Sequence, residues 1–401
     1  MNILVFNCGS SSQGFKVYSV ERNKPAEILI AGKAKNVAAK TQAKAYVIWD
    51  IAGKTEKKFC DLSSHRLAAK EIIEILNSYS IRPDAIGHRF VHGGKQLQKT
   101  VRIDQKIREQ LVRCLPLAPI HNPNSFSVIE ICEDLLKGIP QYAVFDTAFH
   151  AQMPEASKRY AIPRPIAEKF GFQKYGFHGL SCQYVSAQAS LVIGKPLSGL
   201  KLILCHLGSG GSSVTAMKDG KSIDTSMGFS PLTGLVMSSR CGDLDPEIVL
   251  ELVRAGYSAD EISTILNRES GLIGLSGFSS SLAEIIEAAE NGNESCQIAY
   301  DVYVQRLKKY LGAFTWLLNG ADAIVFTDDI GETCWKMREK VFSGTKALGI
   351  LFDAEKNKAV NGSDPNLISR PDSKVQIWVI PTDEESVILR EVEAKILLGD
   401  N

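Results

Sequence analysis

The sequence predicts an α/β protein of two related lobes with a cleft between them. Strands alternate with helices along the chain, and one strand–turn–strand motif occurs twice, about one domain length apart. The 401 residues are enough for two domains, each with its own core. We predict an N-terminal lobe over residues 1–147, completed by a C-terminal helix over 385–401, and a C-terminal lobe over 148–384.

The first copy of the motif opens the chain. Apolar residues 3–6 lead into a loop that holds Gly9, Ser10 and Ser12, and β-forming residues follow over 15–20. Glycine lets the backbone come close to a ligand, and successive N–H groups with serine hydroxyls suit an anionic oxygen. Most Gly/Ser loops are only loops, so this loop alone is a weak indication of a phosphate site.

The second copy repeats the same order of elements. Apolar residues 202–205 and then His206 lead into Gly208, Ser209 and Gly210, and a further strand pattern follows over 214–217. Two such loops, one in each lobe, could hold the two ends of a phosphoryl group during its transfer. The repetition therefore predicts a two-domain phosphotransferase.

Charge and cysteine content narrow the possible partners. Lys and Arg number 46 against 45 Asp and Glu, a net charge of +1, so no overall field attracts nucleic acid or an anionic membrane. Nine cysteines without a CxxC spacing indicate reduced thiols rather than disulfides or zinc. The start of the chain lacks signal-peptide features, and no apolar run reaches the ~20 residues of a membrane helix. We expect a cytoplasmic enzyme.

Charged residues mark two strands in the first half of the chain. Arg89 lies in an apolar run, where a buried arginine needs a partner, and either a salt bridge or a ligand could supply it. Asp146 ends the apolar strand over 142–145, where a carboxylate either serves a site or caps a turn. Both alternatives stay open for each residue.

Two helix starts also carry candidate residues. His121 stands just before a helix that Asn122 is expected to cap, which is a natural place for an anion. Near the C-terminus, the acids after Thr382 start the last helix. Thr382 with Glu385 matches a capping box, so these acids have a structural interpretation as well as a functional one.

Taken together, these stretches resemble the acetate kinase family, which belongs to the acetate and sugar kinase, heat-shock and actin superfamily. The matching motifs extend over nearly the whole chain: residues 7–12, 88–94, 118–123, 145–150, 175–179, 224–229, 240–246 and 381–385. The resemblance implies the duplicated ribonuclease-H-like, actin-like ATPase fold. It also implies reversible, Mg²⁺-dependent phosphoryl transfer to a short carboxylate such as acetate, and a homodimer formed by the C-terminal lobe.

The resemblance assigns roles to individual residues. Arg89 and Arg240 would neutralise the carboxylate and the phosphoryl group, His178 and the nearby His121 would stabilise its equatorial oxygens, and Asp146 would orient an arginine or a metal-bound water. The methyl pocket would be formed by Val91, Ile120, Phe177 and Pro231, and Mg²⁺ would be positioned by Asn7 and Glu384. A carboxylate acceptor is already ionised at neutral pH, so no general base is needed.

The chain departs from the family pattern in four places. Gly14 stands where the family usually has a lysine, with Lys16 displaced, and Ser209 replaces an asparagine. At a helix start, Ser281 and Ala283 replace an aspartate and an arginine. The fourth departure is a turn that usually begins with two glycines and begins here with Asp328 and Asp329. The residues implied on the phosphate and nucleotide side are Ser10, Ser12, His206, Gly208, Ser209, Gly210, Ser281, Asp328, Asp329 and Gly331.

In the family, the last three of these stretches line the nucleotide pocket. Two added carboxylates would repel a polyphosphate by about 1 kcal/mol each, and the missing arginine removes a bidentate contact. We therefore expect pyrophosphate or phosphate to be favoured over ATP/ADP as the phosphoryl partner. The alternatives are an ordinary ATP-dependent acetate or propionate kinase and an inactive binding protein.

Overall fold

The computed structural model describes residues 1–38 and 44–399. The chain divides into two compact units: unit 1 is Met1–Ala148 with Asp383–Asn401, and unit 2 is Phe149–Thr382. Residues 39–43, within the strands expected between 28 and 59, lie outside the described residues, as do residues 400–401 at the end of the predicted C-terminal helix. Elements are numbered in chain order.

Unit 1 is built on an eight-stranded sheet in the order β5-β4-β3-β2-β1-β6-β8-β7. The strands are β1 (Asn2–Cys8), β2 (Ser12–Ser19), β3 (Glu27–Lys35), β4 (Tyr46–Ile51), β5 (Lys54–Phe59), β6 (Ala85–Phe90), β7 (Val101–Arg102) and β8 (Gln141–Phe145). β1 pairs antiparallel with β2 and parallel with β6, which is parallel to β8. The carboxyl ends of three central strands therefore meet at one edge of the sheet.

Four helices complete unit 1: α1 (His65–Ser78), α2 (Gln105–Cys114), α3 (Asn122–Leu135) and α15 (Glu384–Leu397). α1 begins at His65, because Ser64 accepts a hydrogen bond from the backbone N–H of Leu67 and caps the helix. Its face with Ile72 and Leu76 is fully buried in the core of the unit. α15 contacts β1 and β6, so the end of the chain packs on the sheet formed by its beginning.

Unit 2 is built on a six-stranded sheet in the order β11-β10-β9-β12-β14-β13. The strands are β9 (Lys201–Gly208), β10 (Gly211–Lys218), β11 (Lys221–Thr225), β12 (Ala323–Thr327), β13 (Asn366–Leu367) and β14 (Gln376–Val379). β9 pairs antiparallel with β10 and parallel with β12, which is parallel to β14. Five strands of each unit thus share one order and one set of directions, which confirms the duplication predicted from the two loops.

Unit 2 also contains α-helices in addition to this sheet. They are α4 (Glu155–Lys158), α5 (Arg164–Phe170), α6 (Gly179–Ile193), α7 (Pro246–Arg254), α8 (Ala259–Thr264), α9 (Gly271–Ser276), α10 (Leu282–Glu290), α11 (Glu294–Leu317), α12 (Asp328–Thr333), α13 (Trp335–Phe342) and α14 (Ala354–Lys358). The long α11 buries Tyr303, Leu307 and Phe314 in the core against β9 and β10. Across the described ranges, no helix combines the length and apolar character that crossing a membrane requires.

Candidate active site

The first predicted phosphate loop connects β1 and β2 in unit 1. The backbone N–H of Gly9 donates to the carbonyl of Ser12 across the turn at 2.8 Å, which keeps the loop tight. Ser10 is exposed and Ser12 is half-buried. The loop therefore presents hydroxyl and backbone donors at the edge of the sheet where β1, β6 and β8 end.

Arg89 and Asp146 form a buried ion pair at the same edge. Arg89 Nε lies 3.1 Å from each carboxylate oxygen of Asp146, and Nη2 lies 2.5 Å from Oδ2. Burial opposes the charge on Arg89, but the carboxylates of Asp146 and Glu384 raise its pKa above the usual value. Of the two alternatives for Arg89, the structure shows the salt bridge, and Asp146 orients the guanidinium.

Asn7 links this ion pair to the start of α15. Its Nδ2 donates to Glu384 Oε2 at 3.0 Å and to Glu385 Oε1 at 3.1 Å, and its Oδ1 accepts from Arg89 Nη1 at 3.1 Å. The helix begins at Glu384, and Asp383 caps it by accepting from the N–H of Ser386. The predicted capping box of Thr382 and Glu385 is therefore wrong, because the Glu385 side chain is engaged by Asn7 instead.

These residues fit a magnesium ion. Mg²⁺ prefers oxygen ligands and is typically bound by one or two carboxylates together with substrate phosphates. Glu384 is buried, and its contacts among the described residues use Oε2. Its Oε1 therefore remains to ligate a metal ion. Asn7 directs its oxygen to Arg89 and its amide to the acids, so it holds Glu384 in place in this structure.

Sequence reasoning missed the part that Lys16 plays in this cluster. Its Nζ lies 2.8 Å from Asp383 Oδ1 and 3.7 Å from Glu385 Oε2. Residues 14 and 16 point to the same face of β2, because side chains alternate along a strand. That period of two could have indicated that a lysine displaced by two positions still faces the same cluster.

The remaining candidates of unit 1 lie around the start of α3. Val91 is buried and Ile120 is half-buried. His121 occupies the N-cap position without a side-chain capping bond. Asn122 is not the N-cap that the sequence predicts: it is fully buried, accepts from the N–H of His92 and donates to the carbonyl of Cys114. Its side-chain amide is hydrogen-bonded to buried backbone groups of neighbouring segments.

In unit 2, two histidines stack beside the second predicted phosphate loop. The rings of His178 and His206 lie 4.1 Å apart between centroids, at 28°. Ser213 Oγ lies 2.9 Å from His178 Nδ1, and Ser181 Oγ lies 2.8 Å from His206 Nδ1. His178 has a left-handed backbone with φ of +60°, an unusual conformation for a residue other than glycine. A serine hydroxyl at Nδ1 thus fixes the orientation of each ring.

Arg240 lies beside the same loop and has only neutral partners. Nη1 lies 3.3 Å from the carbonyl oxygen of Pro231 and 3.7 Å from Met237 Sδ, while no carboxylate of residues 1–38 or 44–399 pairs with it. Only 9% of its surface is exposed, and burial lowers the pKa of the guanidinium. A Cβ placed on Gly211 would lie 3.1 Å from Arg240 Nη1 and 3.5 Å from His178 Nε2, so the glycine lets these groups come close to the backbone.

Two carboxylates cover the donors of this loop. Asp329 accepts from the N–H of Ser209 at 2.7 Å and from its hydroxyl at 2.5 Å. Asp328 Oδ2 lies 3.0 Å from His206 Nε2, and a Cβ on Gly208 would approach Asp328 Oδ2 to 1.9 Å. Both acids start α12, a short helix where the sequence predicts a turn. Gly210 is exposed beside this contact.

The other site residues predicted in unit 2 are Phe177, Pro231, Ser281 and Gly331. Phe177 is buried and Pro231 is half-buried. Ser281 caps α10 by accepting from the N–H of Glu284. Gly331 is buried, and its carbonyl accepts from Arg338 Nη1 at 2.7 Å.

Comparisons with known proteins agree with this arrangement. The model of the Acetokinase family matches residues 2–390. An acetate kinase from Clostridium novyi is 42% identical over 400 residues, with 98% of each chain covered. The crystal structure of Porphyromonas gingivalis acetate kinase superposes with a TM-score of 0.87 at 37% identity, covering 98% of this chain and 99% of that one. A propionate kinase from Francisella tularensis gives a TM-score of 0.87 at 36% identity, with coverage of 97% and 98%.

Proposed function

Because the chain belongs to the acetokinase family, we propose that it transfers a phosphoryl group reversibly between ATP and a short-chain carboxylate with the help of Mg²⁺. It is a phosphotransferase with a carboxyl group as acceptor, and its substrates are small molecules. Its fold is the duplicated α/β fold of the actin-like ATPases. The acceptor, the donor and the roles of single residues are the parts that need experiment.

The observation that carries the proposal is Arg240, which pairs with no carboxylate of the described residues. A guanidinium that is nine-tenths buried without a carboxylate is costly unless a ligand supplies the negative charge. It lies against a glycine-rich loop and a histidine fixed by a serine hydroxyl. Planar guanidinium groups bind phosphate and carboxylate with paired hydrogen bonds. This corner of unit 2 is therefore suited to an oxyanion.

The chemistry requires positioning and charge neutralisation rather than proton transfer. The acceptor carboxylate is ionised at neutral pH, and its attack brings one anion onto another. Arg240 and His178 would face the charge that develops on the phosphoryl oxygens, and donors that are already oriented need little rearrangement during the reaction. In unit 1, Asp146 holds Arg89 in one orientation, and Glu384 would hold the Mg²⁺ that neutralises phosphate charge.

We propose that both acetate and propionate are accepted. Val91 and Ile120 in unit 1, and Phe177 and Pro231 in unit 2, are the candidates for contact with the alkyl group. One methylene of difference is worth about 1 kcal/mol, which gives a roughly fivefold preference at most sites. The similarity to both acetate and propionate kinases supports this breadth.

Hydroxamate formation tests the proposed function directly. The protein is incubated with Mg²⁺, ATP and acetate or propionate, and acyl phosphate is trapped with hydroxylamine. We expect product with both acids, and no product when ATP or Mg²⁺ is left out. Absence of hydroxamate with either acid, using protein that unfolds cooperatively, would contradict the proposal.

Pyrophosphate is the second candidate phosphoryl donor, and the observation that favours it is the presence of Asp328 and Asp329 beside the second loop. The comparisons with acetate and propionate kinases support ATP and give no support to pyrophosphate or to an inactive protein. However, Asp328 and Asp329 occupy the donors of the second loop, where a phosphate would otherwise bind. A smaller anion suffers less from this obstruction than a nucleotide does.

Replacement of both acids by glycine separates the two donors. In Asp328→Gly/Asp329→Gly, we expect the KM for ATP to fall about tenfold, because two repulsive carboxylates are removed. The matched control is Asp372→Gly, an exposed loop aspartate of the same unit. If the starting protein uses pyrophosphate with a higher kcat/KM than ATP, pyrophosphate replaces ATP in the proposal.

We also propose that unit 2 forms a homodimer through α7. This helix has a strongly amphipathic sequence, yet none of its residues is buried. Ile248, Leu250 and Val253 are 47%, 48% and 54% exposed. A helix of this kind normally covers its apolar face, and a second copy of the chain could cover it. Sedimentation equilibrium should give twice the mass of the chain, and Ile248→Glu should reduce it to the monomer.

A further inference from the structure

Lys16 joins β2 to the acids at the start of α15. Its Nζ lies 2.8 Å from Asp383 Oδ1 and 3.7 Å from Glu385 Oε2, and its side chain is 23% exposed. Gly14 makes room for this contact, since a Cβ there would lie 2.9 Å from Glu385 Oε1. The strand and the helix thus meet through a partly buried ammonium group.

Each of the two acids bound by Lys16 has a second partner. Asp383 Oδ1 also accepts from the N–H of Ser386 at 3.3 Å, which caps α15. Glu385 Oε1 accepts from Asn7 Nδ2 at 3.1 Å. Asp383 Oδ1 is thus shared by Lys16 and the N–H of Ser386, and Glu385 uses one oxygen for Lys16 and the other for Asn7, so protein groups engage both carboxylates.

The charge of the cluster matches one divalent cation. Four carboxylates, of Asp146, Asp383, Glu384 and Glu385, are linked by the contacts above to two cations, Lys16 and Arg89, and leave a formal charge of −2. Without Lys16, the formal charge would be −3, and two carboxylates would lose the cation that binds them. The more negative cluster would then attract a divalent ion more strongly, even without substrate.

We propose that Lys16 is a positioning residue that keeps Asp383 and Glu385 from ligating metal, so that Glu384 alone offers a carboxylate. A divalent cation held by one carboxylate needs substrate phosphates to complete its coordination, as is common for Mg²⁺. The cation then binds tightly only together with the phosphoryl donor. This inference rests on the proposed phosphotransferase function, and it concerns the order in which metal and donor bind.

The test is a titration of the full-length, nucleotide-free protein with Mn²⁺, a paramagnetic substitute for Mg²⁺, followed by the electron paramagnetic resonance signal of the free ion. In Lys16→Met, we expect Mn²⁺ to bind about tenfold more tightly, because one positive charge is removed within a few ångströms. At the same time kcat should fall, because Asp383 and Glu385, on either side of Glu384 in the sequence, lose the ammonium group that holds them. A loss of structure alone would not tighten metal binding.

Four further variants complete the test. Lys16→Arg should keep the Mn²⁺ affinity of the starting protein. In Lys16→Met/Glu385→Gln, most of the gain in Mn²⁺ affinity seen in Lys16→Met should be lost again. Lys24→Met is the matched control, because Lys24 pairs with Glu21 at 2.6 Å on the exposed surface of the same unit. Lys16→Gln replaces Lys16→Met if the latter does not unfold cooperatively.

Unchanged or weaker Mn²⁺ binding in the folded Lys16→Met and Lys16→Gln variants would overturn the inference. This readout does not require turnover. If the starting protein phosphorylates no carboxylate, the proposed function fails whatever the Mn²⁺ affinities are. If turnover is present and the affinities do not change, only the role of Lys16 is wrong.

Discussion

Arg89 and Arg240 are buried to a similar extent, in different units, and they differ in their partners. The Arg89 side chain is 13% exposed and is bound by both oxygens of Asp146. Arg240 is 9% exposed and contacts a carbonyl oxygen and a thioether. The first arginine is held by a carboxylate of the protein, whereas the second contacts only neutral groups among the described residues. We propose that the same side chain serves positioning in unit 1 and ligand binding in unit 2.

Removal of Arg89 should have the largest effect on stability. In Arg89→Met, the fully buried carboxylate of Asp146 loses its partner, and we expect the free energy of unfolding to fall by about 3–5 kcal/mol. Urea unfolding measures this change. Arg89→Met/Asp146→Leu should recover most of the loss, because no charge is then left buried. An equally unstable double variant would show that the ion pair is not the cause.

Removal of Arg240 should affect activity and leave stability intact. In Arg240→Met, kcat for acyl phosphate formation should fall by about 10²–10³, the usual effect of deleting one donor to the transition state. The free energy of unfolding should stay the same or rise, since an unpaired buried charge disappears. The comparison of the two arginines fails if Arg240→Met is destabilised as much as Arg89→Met.

Buried histidines allow the two units to be compared by pH. Burial lowers the pKa of His88 in unit 1 and of His150 in unit 2 to about 4. In the unfolded chain, each histidine binds a proton near the ordinary histidine pKa of about 6.5, whereas in the folded protein it stays neutral down to about pH 4. The contribution of each neutral histidine to stability is therefore complete above pH 6.5 and is lost as the pH falls towards 4. We expect a loss of up to about 3 kcal/mol per histidine.

The measurement is the urea midpoint between pH 7 and pH 4.5. In His88→Asn, the urea midpoint should fall less between pH 7 and pH 4.5 than in the unsubstituted protein, because the histidine of unit 1 no longer contributes. His150→Asn should have the same effect through unit 2. His65 is no suitable control because it is buried as well, so the unsubstituted protein serves as the reference. A pH dependence that is identical in all three proteins would rule out these histidines as its source.

The sequence predicted the parts of the site that depend on local pattern. Each phosphate loop follows a continuous apolar run that forms a strand, and Arg89 and Asp146 lie at the ends of strands that the sheet places side by side. The partners of buried polar groups could not be predicted in the same way. Asn122 bonds to the backbone of His92, 30 residues away, so nothing near it in sequence marks that use.

The acid cluster of unit 1 shows the same limit. Glu385 matched a capping box, but Asn7, 378 residues away, takes up its carboxylate. The displaced Lys16 looked like a loss, yet its long side chain reaches Asp383 from the next position on the same strand face. Long-range contacts of this kind depend on how α15 packs on β1, and no local pattern records that packing.

Binding of inorganic phosphate to the starting protein and to Arg240→Met, measured by isothermal titration calorimetry, tests the central claim most directly. If the unpaired guanidinium of Arg240 is the anion-binding group of unit 2, the variant should bind phosphate at least tenfold more weakly while keeping its unfolding midpoint. Equal phosphate affinity in the two folded proteins would contradict the account.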